Sequence, residues 1–150
     1  MKSTTIAASL GLAFAVVVPA GALFAQESPI EKRQALMKDN GDRTKTAGEM
    51  AQGKTEYDAA EAKASVEGIA ANAEEFPTLF PEGSETGFET RAKPEIWSDT
   101  EGFEEISAKL HDDALAAAAA ADEGLDAFKV AFGTMAGNCK ACHDEYRTPK

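Results

Sequence analysis

The sequence predicts an all-α fold, an antiparallel four-helix bundle, and three observations carry that expectation. Apolar residues recur at helical spacing in four separate segments, and no stretch alternates as a half-buried strand would. A single long Pro- and Gly-rich connection lies between the second and third segments. The last apolar stripe runs into Cys139-Lys140-Ala141-Cys142-His143, so whatever those side chains hold belongs to the bundle interior.

The first helix opens at Ser28-Pro29-Ile30-Glu31, where Ser28 caps, Pro29 takes the first helical position and Glu31 completes a capping box. It is expected to run to about Gln52, with Gly53 closing it and a weak stripe of Ile30, Leu36, Met37, Ala47 and Met50. The second opens at Asp58, with Glu61 as another capping box, and Ala62, Val66, Ile69, Ala73 and Phe76 form one face. Pro77 favours a stop just beyond. From Pro77 to about Trp97 the chain reads as one long crossover, with Pro81-Glu82-Gly83-Ser84 a turn.

The third helix begins near Ser98 or Asp99 and carries Phe103, Ile106, Leu110, Ala114, Ala117 and Ala121 as its stripe. Its Ala116–Ala121 run is the best helix-forming composition available, and a face of small side chains lets a neighbour approach closely. Asp122-Glu123-Gly124 breaks the chain, and the fourth helix aligns Leu125, Phe128, Phe132, Met135, Cys139 and Cys142.

Cys-x-x-Cys-His is the attachment signature of c-type haem: each thiol adds to a vinyl group, and the histidine ligates iron. Residues three and four apart share a helical face, so Cys139, Cys142 and His143 point the same way while Lys140 and Ala141 do not. A zinc half-site is the weaker reading, because only His111 is left over as a further ligand of the His/Cys type. A redox dithiol is the other, but no strand precedes the motif and the adjacent histidine goes unexplained.

Residues 1–25 read as a secretory signal peptide: Lys2 is followed by an apolar run from Ile6 to Val18, Pro19 and small-residue cleavage sites. Cleavage after Ala25 is preferred, with Ala22 the alternative, and Met1 leaves with the signal. The run is shorter than the roughly 20 apolar residues a membrane span needs, and nothing after residue 25 could span a bilayer. Residues 26–150 then form one domain, expected in the periplasm, whose two cysteines both belong to the motif. The chain carries −11, one unit more negative once Lys2 is lost. That surface disfavours nucleic acid and anionic membranes and favours redox partners with basic surfaces.

A haem motif at the C-terminal end of a four-helix chain resembles the class II cytochromes c, the cytochrome c′ family. Arg33-Gln34-Ala35-Leu36-Met37 looks like that family's first helix, Lys93-Pro94-Glu95-Ile96-Trp97 like the segment before its third, and Cys139 to Arg147 like its haem-binding end. The resemblance implies one covalent haem c on Cys139 and Cys142, His143 as proximal ligand, and Arg33 and Arg147 near the haem. It implies that Met37 faces the distal side of the iron. High-spin members use that position to crowd the iron without binding it, whereas in the low-spin branch a methionine there coordinates. The run Met37-Lys38-Asp39-Asn40-Gly41 looks more like the low-spin branch. The family also includes antiparallel homodimers built from the first two helices.

Other sixth ligands are poorly placed. Met135 shares a helix with His143; Met50 lies about 20 Å along the helix from Met37 at 1.5 Å per residue; His111 is off its stripe. The leading expectation is therefore a low-spin periplasmic electron carrier with His143 and Met37 on the iron. The first alternative is a five-coordinate haem that takes up nitric oxide or carbon monoxide, and the second a cofactor-free thiol-redox protein. No catalytic acid–base pair stands out, so an enzyme is not expected.

Overall fold

The computed structural model describes residues 28–149, and the expected signal peptide lies outside them. Helix α1 is Pro29–Ala51, α2 Ala59–Glu75, α3 the single turn Glu95–Ser98, α4 Thr100–Ala121 and α5 Leu125–Tyr146. The four long helices make the expected bundle: α1 packs on α2, α2 on α4 and α4 on α5, while α1 also touches α5.

Local chemistry sets the boundaries. Ser28 Oγ accepts from Glu31 N (3.1 Å) and Glu31 Oε2 from Ser28 N (3.2 Å), the full capping box. Asp58 accepts from Glu61 N (2.9 Å) to cap α2, but the reciprocal half of the expected second box is not among the hydrogen bonds of the described residues. Asp99 caps α4 through Gly102 N (3.3 Å). The α4–α5 turn needs Gly124, whose φ of +104° is closed to most L side chains.

The crossover departs from the irregular loop the sequence suggested. It starts as a 3₁₀ turn, Phe76–Leu79, with Pro77 in its first turn, and it ends in α3. Between them Ala92 forms an isolated antiparallel bridge with Arg147, tying the crossover to the end of α5. Its physical basis is side-chain burial: Leu79 and Ile96 are buried, and Trp97 Nε1 donates to Phe80 O (3.1 Å).

Two apolar clusters occupy opposite ends of the bundle. One gathers Ala47 and Met50 of α1, Ala62, Val66, Ile69 and Ala70 of α2, the alanines of α4, and Phe128 and Met135 of α5. It combines the C-terminal halves of α1 and α4 with the N-terminal halves of α2 and α5, as antiparallel neighbours require. The other is aromatic: Ile96, Phe103 and Tyr146, with Phe76, Phe80, Trp97 and Cys142 against them. The α1 stripe differs from expectation at one telling position. Leu36 and Met37 are only half-buried, whereas the charged Arg33 is 4 % exposed.

Candidate functional site

At the aromatic end a cavity of about 510 Å³ is lined by Cys139, Cys142 and His143, all on one face of α5. Three sets of contacts fix that stretch of helix. Buried Asn138 donates to Asp113 Oδ2 (2.7 Å), pinning α5 to α4 one residue before the motif. Tyr146 donates to Asp99 Oδ2 (2.8 Å), joining the end of α5 to the cap of α4. Lys93 Nζ donates to the carbonyls of Asp144 (2.9 Å) and Glu145 (2.7 Å), and Lys93 N to Tyr146 O (3.0 Å). Those are carbonyls that the helix end leaves without intrahelical partners.

Burial pushes both thiols up, Cys142 to about 11 with Cys139 beside it adding to the rise. Such thiols stay protonated at neutral pH, the opposite of the low-pKa thiolate that a redox dithiol needs. His143 is held below its ordinary value, first by burial and then by Arg147 and Arg91, with Asp144 opposing. A neutral imidazole with a free lone pair is the metal-binding form. His111 does not line the cavity; its Nδ1 lies 3.0 Å from Asp112 Oδ1.

A second wall comes from α1, where Met37, Asn40, Gly41 and Thr44 recur at helical spacing along the cavity. Met37 is the one methionine of the described residues that lines it, since Met50 and Met135 sit in the alanine-rich core. One turn earlier, Arg33 holds the crossover. Its guanidinium donates to Leu79 O (3.2 Å), Ser84 Oγ (3.1 Å), Ser84 O (2.6 Å) and Thr90 Oγ1 (3.0 Å). It also lies 4.6 Å from the centroid of Phe80 and 5.7 Å from that of Trp97. Burial lowers its pKa, and Glu85 opposes that.

A haem needs thiols for its vinyls, an axial base, apolar walls and cations for its two propionates. Each is present. Arg33, Arg91 and Arg147 all line the cavity, and among the described residues none of the three is in an ion pair. Arg91 Nε is buried without any hydrogen-bond partner, a donor left for an acceptor that the protein itself does not supply. The donor set and this orphaned atom fit the group.

The six residues singled out from sequence, Arg33, Met37, Cys139, Cys142, His143 and Arg147, line this one cavity together. The sequence reading missed Phe80, Thr90 and Arg91 of the crossover, and Asn40 and Thr44 of α1. Nothing periodic marks the crossover residues. The α1 pair stands three and seven residues after Met37, a helical spacing that marks the same face, but with polar rather than apolar side chains.

The family model described as Cytochrome C' matches residues 28–147. A cytochrome c′ from Rhodopseudomonas palustris is 38 % identical over 139 residues, covering 90 % of this chain and 92 % of the relative. The solved structure of cytochrome c′ from that organism superposes with a TM-score of 0.79 at 37 % identity, over 83 % of this chain and 99 % of the other. A cytochrome c-556 from Agrobacterium fabrum is 37 % identical over 131 residues, 87 % of this chain and 88 % of the relative. The nitric oxide complex of a leucine-to-isoleucine mutant of Alcaligenes xylosoxidans cytochrome c′ matches at TM-score 0.72 and 34 % identity, over 81 % and 94 %. With fold, cavity and near full-length similarity in agreement, this chain belongs to the cytochrome c′ family, haem proteins with one covalently attached haem c.

Proposed function

We propose that this protein is an exported, periplasmic haem c protein of the gas-binding, five-coordinate type. In this reading Cys139 and Cys142 form the thioethers, His143 is the only protein ligand on iron, and Met37 crowds the opposite face without coordinating. When bound, the haem supplies a one-electron couple and one axial position for a small neutral gas. The chain's own residues do the rest: Asn138, Tyr146 and Lys93 fix the helix that carries His143, and Arg91 and Arg147 meet the propionate charge. Arg33 holds the crossover that carries Arg91 while adding its positive charge to the site. The rings of Phe80 and Phe103 give the cavity an apolar wall.

The observation that carries this reading is the near full-length similarity to cytochromes c′, one of them solved with nitric oxide bound. This reverses the order of preference taken from the Met37–Gly41 run alone. The low-spin electron carrier, with Met37 as sixth ligand and a basic redox partner, is the second reading. It is favoured by one observation, that Met37 is the only methionine of the described residues at the cavity. An antiparallel homodimer through α1 and α2 belongs to either reading, and sedimentation of the native protein tests it.

The deciding experiment is carbon monoxide titration of the reduced protein beside its Met37→Ala variant. Ready binding by the native protein, quickened in the variant, is the expected outcome. Binding by the variant alone would establish Met37 as an iron ligand.

A further inference from the structure

One turn beyond Met37, the cavity-lining Asn40 stands in a polar relay that commits its side-chain oxygen to α2 and leaves its Nδ2 free to donate. Asp39 is the origin of that relay. Arg43 Nε donates to Asp39 Oδ2 (2.6 Å), and this contact, with Asn72, holds the carboxyl below its ordinary range. An ionised carboxylate only accepts, so the Asn72 atom that meets Asp39 Oδ2 at 2.7 Å must be Nδ2. The same Nδ2 meets the Asn40 amide at 2.8 Å, and there it can only be met by Oδ1. The Asn40 oxygen is thereby committed to α2. Its Nδ2 makes no hydrogen bond among those of the described residues, and Asn40 lines the cavity beside Met37.

Gly68 makes the relay possible. A Cβ there would lie 2.2 Å from an Arg43 terminal nitrogen, so glycine leaves room for this guanidinium to cross α2 and reach Ala64 O (3.3 Å), and a larger residue would push it aside. The chain thus places one oriented amide donor beside Met37 on the α1 wall of the cavity, where Thr44 adds a freely rotating hydroxyl one turn further on.

We infer that Asn40 is a specificity-determining residue: its Nδ2 donates a hydrogen bond to the outer atom of a diatomic ligand, with Asn72, Asp39 and Arg43 as positioning residues. It favours ligands that carry partial negative charge on that atom. The inference rests on the gas-binding reading above.

The test uses the intact haem-loaded protein, reduced, with carbon monoxide as probe and the C–O stretch as readout. A donor at the ligand oxygen lowers that frequency. Asn40→Leu is expected to raise it and to speed carbon monoxide release about fivefold, the scale of one neutral hydrogen bond. Asn40→Asp keeps an acceptor for Asn72 but has no donor, so it should raise the stretch as well, while retention of the native helical circular dichroism shows that the fold is intact. Gly68→Ala, which displaces Arg43, should give a smaller shift in the same direction.

A stretch unchanged in both Asn40 variants, with native carbon monoxide binding, would overturn this inference and leave the gas-binding reading standing. A native protein that takes up no carbon monoxide would overturn both.

Discussion

The alanine-rich end of the bundle is packed solid: Ala47, Ala62, Ala114, Ala117 and Ala121 are wholly buried, and Phe128, Met50, Ile69, Met135 and Val66 fill the space they leave. The opposite end is propped by rings. Phe80 and Phe103 meet edge to face at 4.9 Å, Phe103 and Tyr146 at 5.2 Å, and Phe80 and Trp97 at 5.6 Å. Small residues let helices approach until a few larger side chains fill what is left, whereas the rings at the other end line a gap that a cofactor can complete. One helix sequence can do both because α4 begins with Phe103 and ends in alanine. The bundle is thus a packed clamp at one end and an open frame at the other.

The largest break in that contrast comes from the cysteines. A Cys139→Ala, Cys142→Ala double variant should retain no haem through acid–acetone extraction. Its aromatic end should then loosen first, seen as hydrogen exchange rising in Tyr146 and Phe103 before Val66 and Ile69.

Next come two ring deletions of similar cost and different consequence. Phe128→Ala and Phe103→Ala should each destabilise the fold by about 3–5 kcal/mol, the usual range for a buried phenylalanine. Only Phe103→Ala, at the cavity, should also change the visible haem spectrum. Equal spectral change in both would mean that the two ends are not independent.

Two glycines give a smaller, signed comparison. A Cβ on Gly102 would lie 2.5 Å from Asp99 Oδ2 and 2.9 Å from the Tyr146 hydroxyl, so Gly102→Ala should lower the melting temperature by breaking the α4–α5 tie. Gly133 has nothing within 4 Å of such a Cβ, and Gly133→Ala should stabilise α5 by about 1 kcal/mol.

The smallest effect is a pH limb. Burial and the Asp99 hydrogen bond push Tyr146 up to about 12 from an ordinary 10.0. Between those values the unfolded chain releases a proton that the fold keeps, so its stability contribution is full below 10 and falls as pH rises toward 12. Tyr57, raised by burial, adds in the same direction. Denaturant midpoints should therefore fall through that window, and more gently in Tyr146→Phe.

The helix starts were legible because caps are local: Ser28, Asp58 and Asp99 each bond a backbone N–H three residues on. The haem motif was legible for the same reason, its three side chains lying within one and a half turns of α5. The crossover was not, because its order comes from contacts remote in sequence. Arg33 reaches Leu79, Ser84 and Thr90 across 46 to 57 residues, and no pattern near Arg33 announces that its charge is buried. The role of Met37 is not legible in this way: a five-residue run speaks for ligation, while near full-length similarity to cytochromes c′ supports the crowding side chain of the proposed reading.

The most direct test of the account is the spin state of the native ferric protein at neutral pH, read from its visible and electron paramagnetic resonance spectra. An aromatic frame holding a haem with one protein ligand predicts a high-spin spectrum that Met37→Ala leaves high-spin. A low-spin spectrum in the native protein, turned high-spin by Met37→Ala, would contradict it and make Met37 the sixth ligand of an electron carrier.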